Sequence, residues 1–263
     1  MEKRIRFSLN RDLEPTTPDG SPDVHYGILE GDTVHETASL WSTERGQACS
    51  FSGVRLLPPC SPSKIVCIGR NYAEHAKELG NEVPKEPLIF LKPPSALLPP
   101  GGTIILPAVS RQVEFEGEIG VVIGTRARRV READAESFIA GYTCVNDVTC
   151  RDLQKTDGQW TRAKGFDTFC PVGPRVVALD WRTLSVVTRV NGVERQRAPS
   201  SDMIFSIPRL VAHVSAIMTL EPGDLIATGT PAGVGPLAAG DVVEVEIAGI
   251  GILSSHVAAQ ELP

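Results

Sequence analysis

Apolar and polar positions alternate most cleanly over residues 113–123. Val113, Phe115, Ile119, Val121 and Ile123 fall on one side of a strand, and Glu114, Glu116 and Glu118 on the other. Other alternating or apolar runs predict strands at 5–9, 25–29, 33–35, 64–68, 103–106, 241–247 and 251–253. Residues 185–190 and 193–197 flank Asn191-Gly192, a pair suited to a type I′ turn, and predict a hairpin. A helical stripe of Ile207, Leu210, Val211, Val214, Ile217 and Met218 follows Ser206 and predicts a capped helix over 206–219, with Pro208 in its first turn. Residues 126–140 can hold another helix. A short polar one opens at Asn71, with Glu74 completing a capping-box pattern and Gly80 as its stop. It carries little apolar surface, so it should be weakly held.

Strands outnumber helices, and no regular strand–helix alternation occurs. This implies an α+β, β-rich mixed fold rather than a doubly wound sheet. The proline- and serine-rich stretch 58–63 places a boundary between a small N-terminal β-rich domain, residues 1–60, and a main domain, residues 61–263.

A formal charge of −6 over 263 residues, without a long Lys/Arg run, argues against nucleic acid or an anionic membrane as partner. No apolar run reaches the roughly 20 residues of a membrane span, and residues 1–6 lack the apolar stretch of a signal peptide, so a cytoplasmic location is expected. The six cysteines show neither zinc-cluster nor dithiol spacing and read as free, mostly buried thiols.

Three carboxylates on one strand face are costly unless a positive group meets them. Mg²⁺ or Mn²⁺ is the usual partner, although the same alternation also describes a strand whose acidic face meets water. Asp147, delivered to a strand end by an apolar approach, would complete a three-carboxylate set with Glu116 and Glu118. It could equally cap the next helical turn, and Asp152 competes with it as a ligand. His75 and Glu78, three apart on the short helix, make a candidate general base and its orienting acid, or else a solvated helix face. Lys164, among small residues, is placed to bind a carboxylate or an enolate oxygen unless it is simply solvated. The loop 228–235 is rich in amides but lacks the ending of a nucleotide-binding loop.

Six motifs in order link these residues: 68–75 (Ile-Gly-Arg-Asn-Tyr-Ala-Glu-His), 116–120 (Glu-Gly-Glu-Ile-Gly), 146–154 (Asn-Asp-Val-Thr-Cys-Arg-Asp-Leu-Gln), 163–166 (Ala-Lys-Gly-Phe), 201–205 (Ser-Asp-Met-Ile-Phe) and 228–235 (Thr-Gly-Thr-Pro-Ala-Gly-Val-Gly). From about residue 62 to the end the chain resembles the fumarylacetoacetate hydrolase family, near its bacterial acylpyruvase, oxaloacetate decarboxylase and hydroxyheptadienedioate isomerase members. The resemblance implies a β-roll-like catalytic domain, a homodimer, and Mg²⁺ or Mn²⁺ held by Glu116, Glu118 and Asp147. It also implies a lid bearing His75 and Glu78.

The implied chemistry is hydrolytic C–C cleavage of a 2,4-diketo acid such as fumarylpyruvate or acetylpyruvate. His75 and Glu78 would activate a water placed by Gln154, and Lys164 with the metal would stabilise the pyruvate enolate. Arg70, Tyr72 and Thr230 are candidates for gripping substrate carboxylate or keto oxygens. The same apparatus would serve oxaloacetate decarboxylation or isomerisation of a 2-hydroxy-dienoate. A protein that keeps the fold and the metal without turnover is the alternative of a different class.

Overall fold

The computed structural model describes residues 2–9, 23–78, 80 and 82–261. Among them the largest sheet has twelve strands. From one edge its order runs Ala48–Ser50, Thr33–Thr37, His25–Glu30, Lys3–Leu9, Cys170–Val177, Ile139–Asn146, Gly117–Ile123, Leu225–Ala227, Ile65–Gly69 and Leu88–Lys92. Val54–Leu56 and Leu97–Leu98 attach beside this path. The N-terminal strands therefore continue the main sheet, Lys3 and Arg4 pairing antiparallel with Val177 and Val176. A second sheet of five strands orders Val193–Pro199, Ser185–Val190, Val242–Ile247, Gly251–Ala259 and Thr103–Leu106.

The core explains why the central strands read as they do. One face of Gly117–Ile123 and Ile139–Asn146 packs Ile119, Val121, Tyr142 and Cys144 against Val245, Ile247 and Leu253 of the second sheet and Leu210, Val211 and Val214 of a helix. The other face packs Val122 and Val145 against Val172, Val176 and Leu225. All seven residues of Gly117–Ile123 are buried, as are Glu114 and Glu116, so the alternative of an acidic face meeting water is ruled out. A strand covered on both faces must satisfy its charges internally.

Local patterns held where local chemistry decides. Asn191 and Gly192 have φ of 52° and 77°, the two positive values a type I′ turn requires. The best helix spans Ile207–Ile217, and Ser206 accepts the Arg209 N–H as its cap, a contact worth about 1 kcal/mol. Two expectations failed. Residues 126–140 form a 3-10 helix only over Glu132–Phe138. Before it, the amides of Ala127 and Arg129 bond to Leu220 and Ser215 instead of to a helical turn. The first α-helix, α1 (Ala73–Glu78), lacks the capping box. Asn71 is fully buried and bridges Phe205 and Thr228 through its side chain, while Glu74 pairs with Lys77 in solvent. In α1, His75 and Ala76 are buried.

All six thiols are free and Cys49 alone is not buried, as expected. No helix among the described residues is long and apolar enough to cross a membrane.

Candidate active site

Two backbone features bring the acids together. The extended run breaks at Glu116, between the strands Val113–Phe115 and Gly117–Ile123. There the Glu116 carbonyl accepts the Asp147 N–H (2.8 Å) and its own N–H bonds Asn146 Oδ1 (2.9 Å). Asp147 thus leaves the strand Ile139–Asn146 locked beside Glu116. One oxygen each of Glu116, Glu118 and Asp147 lies within 4.8 Å of the others, and all three side chains are buried. Asp152 is elsewhere, accepting from Ser110 Oγ and the Arg111 N–H, so it does not compete for the cluster.

The acids are matched by cations from three elements. Lys164, ending the helix α3 (Thr161–Lys164), places Nζ 2.8 Å from Glu116 Oε2 and 2.6 Å from Asp147 Oδ2. Arg151, opening the helix α2 (Arg151–Asp157), reaches Glu116 Oε1 (2.5 Å), Glu114 Oε2 (2.7 Å) and Gln154 Oε1 (2.6 Å). Glu114 is therefore withdrawn from the cluster by an arginine. Lys92, from the strand Leu88–Lys92, donates to Asp147 Oδ1 (2.5 Å) and the Val148 carbonyl (2.9 Å).

The electrostatics divide the three acids. Burial would raise Glu116, but Lys164, Arg151 and then His75 hold it well below the usual carboxylate range. Glu118 has no ion pair among the described residues, only the Gly229 N–H on Oε2 (2.8 Å). Burial, Asp147 and Glu116 push it well above that range. Three buried oxygen donors, one without a cation of its own, fit a hard divalent ion of the Mg²⁺ or Mn²⁺ type.

A cavity of about 220 Å³ opens over the cluster. His75 lies on its wall, with Nδ1 3.3 Å from Glu78 Oε2. The Glu78 carboxylate also accepts the Gly233 N–H (3.1 and 3.2 Å). The glycine-rich loop thus spends two amides on the protein's own carboxylates, Glu118 and Glu78. Arg70, Gln154, Lys164 and Thr230 share the wall. Arg70 sits at φ 63°, a strained conformation for a side-chain-bearing residue and one found most often at functional sites.

Tyr72 stands apart from these. It is bridged to Met203, and its hydroxyl is buried without a hydrogen-bond partner among the described residues and off the cavity wall. The Thr230 hydroxyl gives its only proton to the Gly117 carbonyl (2.9 Å).

Sequence reasoning missed Lys92 and Arg151 as site residues, and Phe90, Lys155 and Trp160 as parts of the wall. A lysine closing an otherwise apolar strand was a usable signal for Lys92. For Arg151 it was the i,i+3 spacing to Gln154.

Residues 64–258 match the family model for the fumarylacetoacetate (FAA) hydrolase C-terminal domain, and residues 17–59 match an Rv2993c-like N-terminal model. Oxaloacetate tautomerase FAHD1, mitochondrial, of Arabidopsis thaliana is 48% identical over 195 residues, covering 72% of this chain and 87% of that protein. Oxaloacetate decarboxylase, mitochondrial, of Dictyostelium discoideum is 45% identical over 195 residues, covering 71% and 89%. The crystal structure of 2-hydroxyhepta-2,4-diene-1,7-dioate isomerase from Mycobacterium marinum superposes with a TM-score of 0.87 at 42% identity, covering 100% of both chains. With the family model matched over most of its length, the chain belongs to the fumarylacetoacetate hydrolase family.

Proposed function

We propose that this protein is a Mg²⁺- or Mn²⁺-dependent hydrolase that cleaves a carbon–carbon bond in acylpyruvates such as fumarylpyruvate. The observation that carries the reading is that His75, backed by Glu78, lines one cavity with the three-carboxylate cluster. Glu116, Glu118 and Asp147 would hold the ion, which when bound supplies Lewis-acid polarisation of a keto-acid oxygen.

The protein's own groups supply the rest. Glu78 keeps the Nδ1 proton of His75 in place, which leaves Nε2 as a base. His75 takes a proton from a water, and the hydroxide adds to the acyl carbonyl, C4. Gln154 Oε1 is committed to Arg151, so its contribution is its amide NH₂, donated to that water or to the substrate. The C3–C4 bond breaks with its electron pair left on the pyruvate fragment as an enolate. His75 returns the proton to C3, giving pyruvate and a carboxylic acid. Lys164, held by two carboxylates, keeps a fixed positive charge beside the developing enolate oxygen. Arg70 and Lys155 line the cavity with no ion pair among the described residues and are free to meet substrate carboxylates.

A second reading, oxaloacetate tautomerisation or decarboxylation, is favoured by the named activities of the relatives at 45–48% identity. It needs the same enolate environment and no attacking water. Incubating the metal-stripped protein with acetylpyruvate, fumarylpyruvate and oxaloacetate, with and without Mg²⁺ or Mn²⁺, tests both. Metal-dependent release of pyruvate and acid supports hydrolysis. CO₂ or enol turnover from oxaloacetate alone moves the protein to the second reading, and no turnover of any substrate sinks both.

A further inference from the structure

Gly117 is the residue between Glu116 and Glu118, and its backbone is completed by two side chains. Its N–H donates to Gln196 Oε1 (3.0 Å) and its carbonyl accepts the Thr230 hydroxyl (2.9 Å). Gln196 Nε2 donates to Thr230 Oγ1 (2.7 Å) and to the Pro231 carbonyl (2.8 Å), which closes a ring through Gly117, Gln196 and Thr230. Gln196 is 1% exposed and comes from the strand Val193–Pro199 of the other sheet. The ring also fixes its amide orientation, because the flipped amide would set a donor against the Gly117 N–H. There is no slack at Gly117, where an added Cβ would lie 1.9 Å from Thr188 Oγ1.

This bonding determines what Thr230 presents. Its single proton is spent on a carbonyl and one lone pair on Gln196, so only an acceptor lone pair remains for the cavity. Such a group repels a carboxylate or keto oxygen and accepts from a donor, such as a water or an enol O–H.

We propose that Gln196 is a positioning residue for the cation site. It fixes the Gly117 peptide, and with it the spacing of Glu116 and Glu118, and it holds Thr230 as an acceptor for a water or enol hydroxyl. The inference rests on reading the three carboxylates as a cation site.

The test is Mn²⁺ titration calorimetry on the metal-stripped full chain, with circular dichroism to check folding. The variants are Gln196→Met, Thr230→Val, their combination, and Thr230→Ser. Groups that orient metal ligands typically carry about 10–100-fold in affinity. Gln196→Met and Thr230→Val should each weaken Mn²⁺ about tenfold. The double variant should lose little more than either, and Thr230→Ser should bind like the parent. Losses that multiply in the double variant, or unchanged affinity in Gln196→Met, overturn the inference while leaving the cation site standing. Should Gln196→Met not fold, unchanged affinity in Thr230→Val does the same. Failure of the parent protein to bind Mn²⁺ overturns both the inference and the function it rests on.

Discussion

Lys92 Nζ lies 2.5 Å from Asp147 Oδ1, while Lys164 Nζ lies 2.6 Å from the other oxygen of the same carboxylate. Asp147 is thus held between two buried ammonium groups, each from a different element. Removing Lys92 takes a donor away from the Val148 carbonyl and leaves a dense acidic cluster with one cation fewer. Breaking a buried pair on one side typically costs about 3–5 kcal/mol. Lys92→Met should therefore lower the metal-free stability by about 3 kcal/mol in urea unfolding. A loss under about 1 kcal/mol would mean that Lys164 alone neutralises Asp147.

Glu118 gives the pH dependence. Burial, Asp147 and Glu116 raise its folded pKa well above the carboxylate range, so the fold keeps a proton that the unfolded chain has already lost. The stabilisation is full below the unfolded value, about 4.3, and is lost as pH rises toward the folded one. Metal-free protein should melt at progressively lower temperature from about pH 5 upward, and Glu118→Gln should flatten that slope. With Glu118 in the proposed ligand set, Mn²⁺ would displace the same proton, and its affinity should rise with pH. Melting curves in EDTA and titrations at several pH values check both, and a metal affinity independent of pH would remove Glu118 from the ligand set.

Legibility followed the range of the forces involved. The Asn191-Gly192 turn and the Ser206 cap are decided within a few residues, and the sequence identified both. The Asn71–Glu74 pattern had the right local form, but Asn71 is spent on Phe205 and Thr228, more than a hundred residues away. The same limit hid the bonds of Lys92 to Asp147, Arg151 to Glu116 and Gln196 to Gly117, each of which spans 35 or more residues. The acids were legible because unpaired charge on an apolar strand demands a partner. Which partner was not legible, since Glu114 is answered by Arg151 and Glu118 by no side-chain cation among the described residues.

Arg70 and Lys155 should govern substrate choice. Both line the cavity and neither is paired among the described residues, whereas Lys92, Arg151 and Lys164 are all engaged. A second carboxylate on the substrate is what two free cations would reward. Each contact made in partial exposure is worth up to about 1 kcal/mol, or about fivefold. Lys155→Ala should raise KM for fumarylpyruvate by about that factor and leave acetylpyruvate nearly unchanged. Equal effects on both substrates would mean that Lys155 does not touch the distal carboxylate.

The His75–Glu78 pair separates the two reactions proposed for this site. Hydrolysis needs a base to deprotonate water, and positioned general bases contribute about 10²–10⁴-fold. Loss of CO₂ from oxaloacetate already leaves its electron pair at C3 and needs no attacking water. His75→Ala should therefore cut acylpyruvate hydrolysis at least about 100-fold while sparing oxaloacetate decarboxylation. Glu78→Gln should act more weakly on hydrolysis, because Gly233 can still bond its amide oxygen while the negative charge behind the imidazole is gone. Progress curves for pyruvate and CO₂ on the two substrates decide the matter. Unchanged hydrolysis in His75→Ala would end the role assigned to the histidine, and parallel loss of both activities would mean that it also handles the proton at C3.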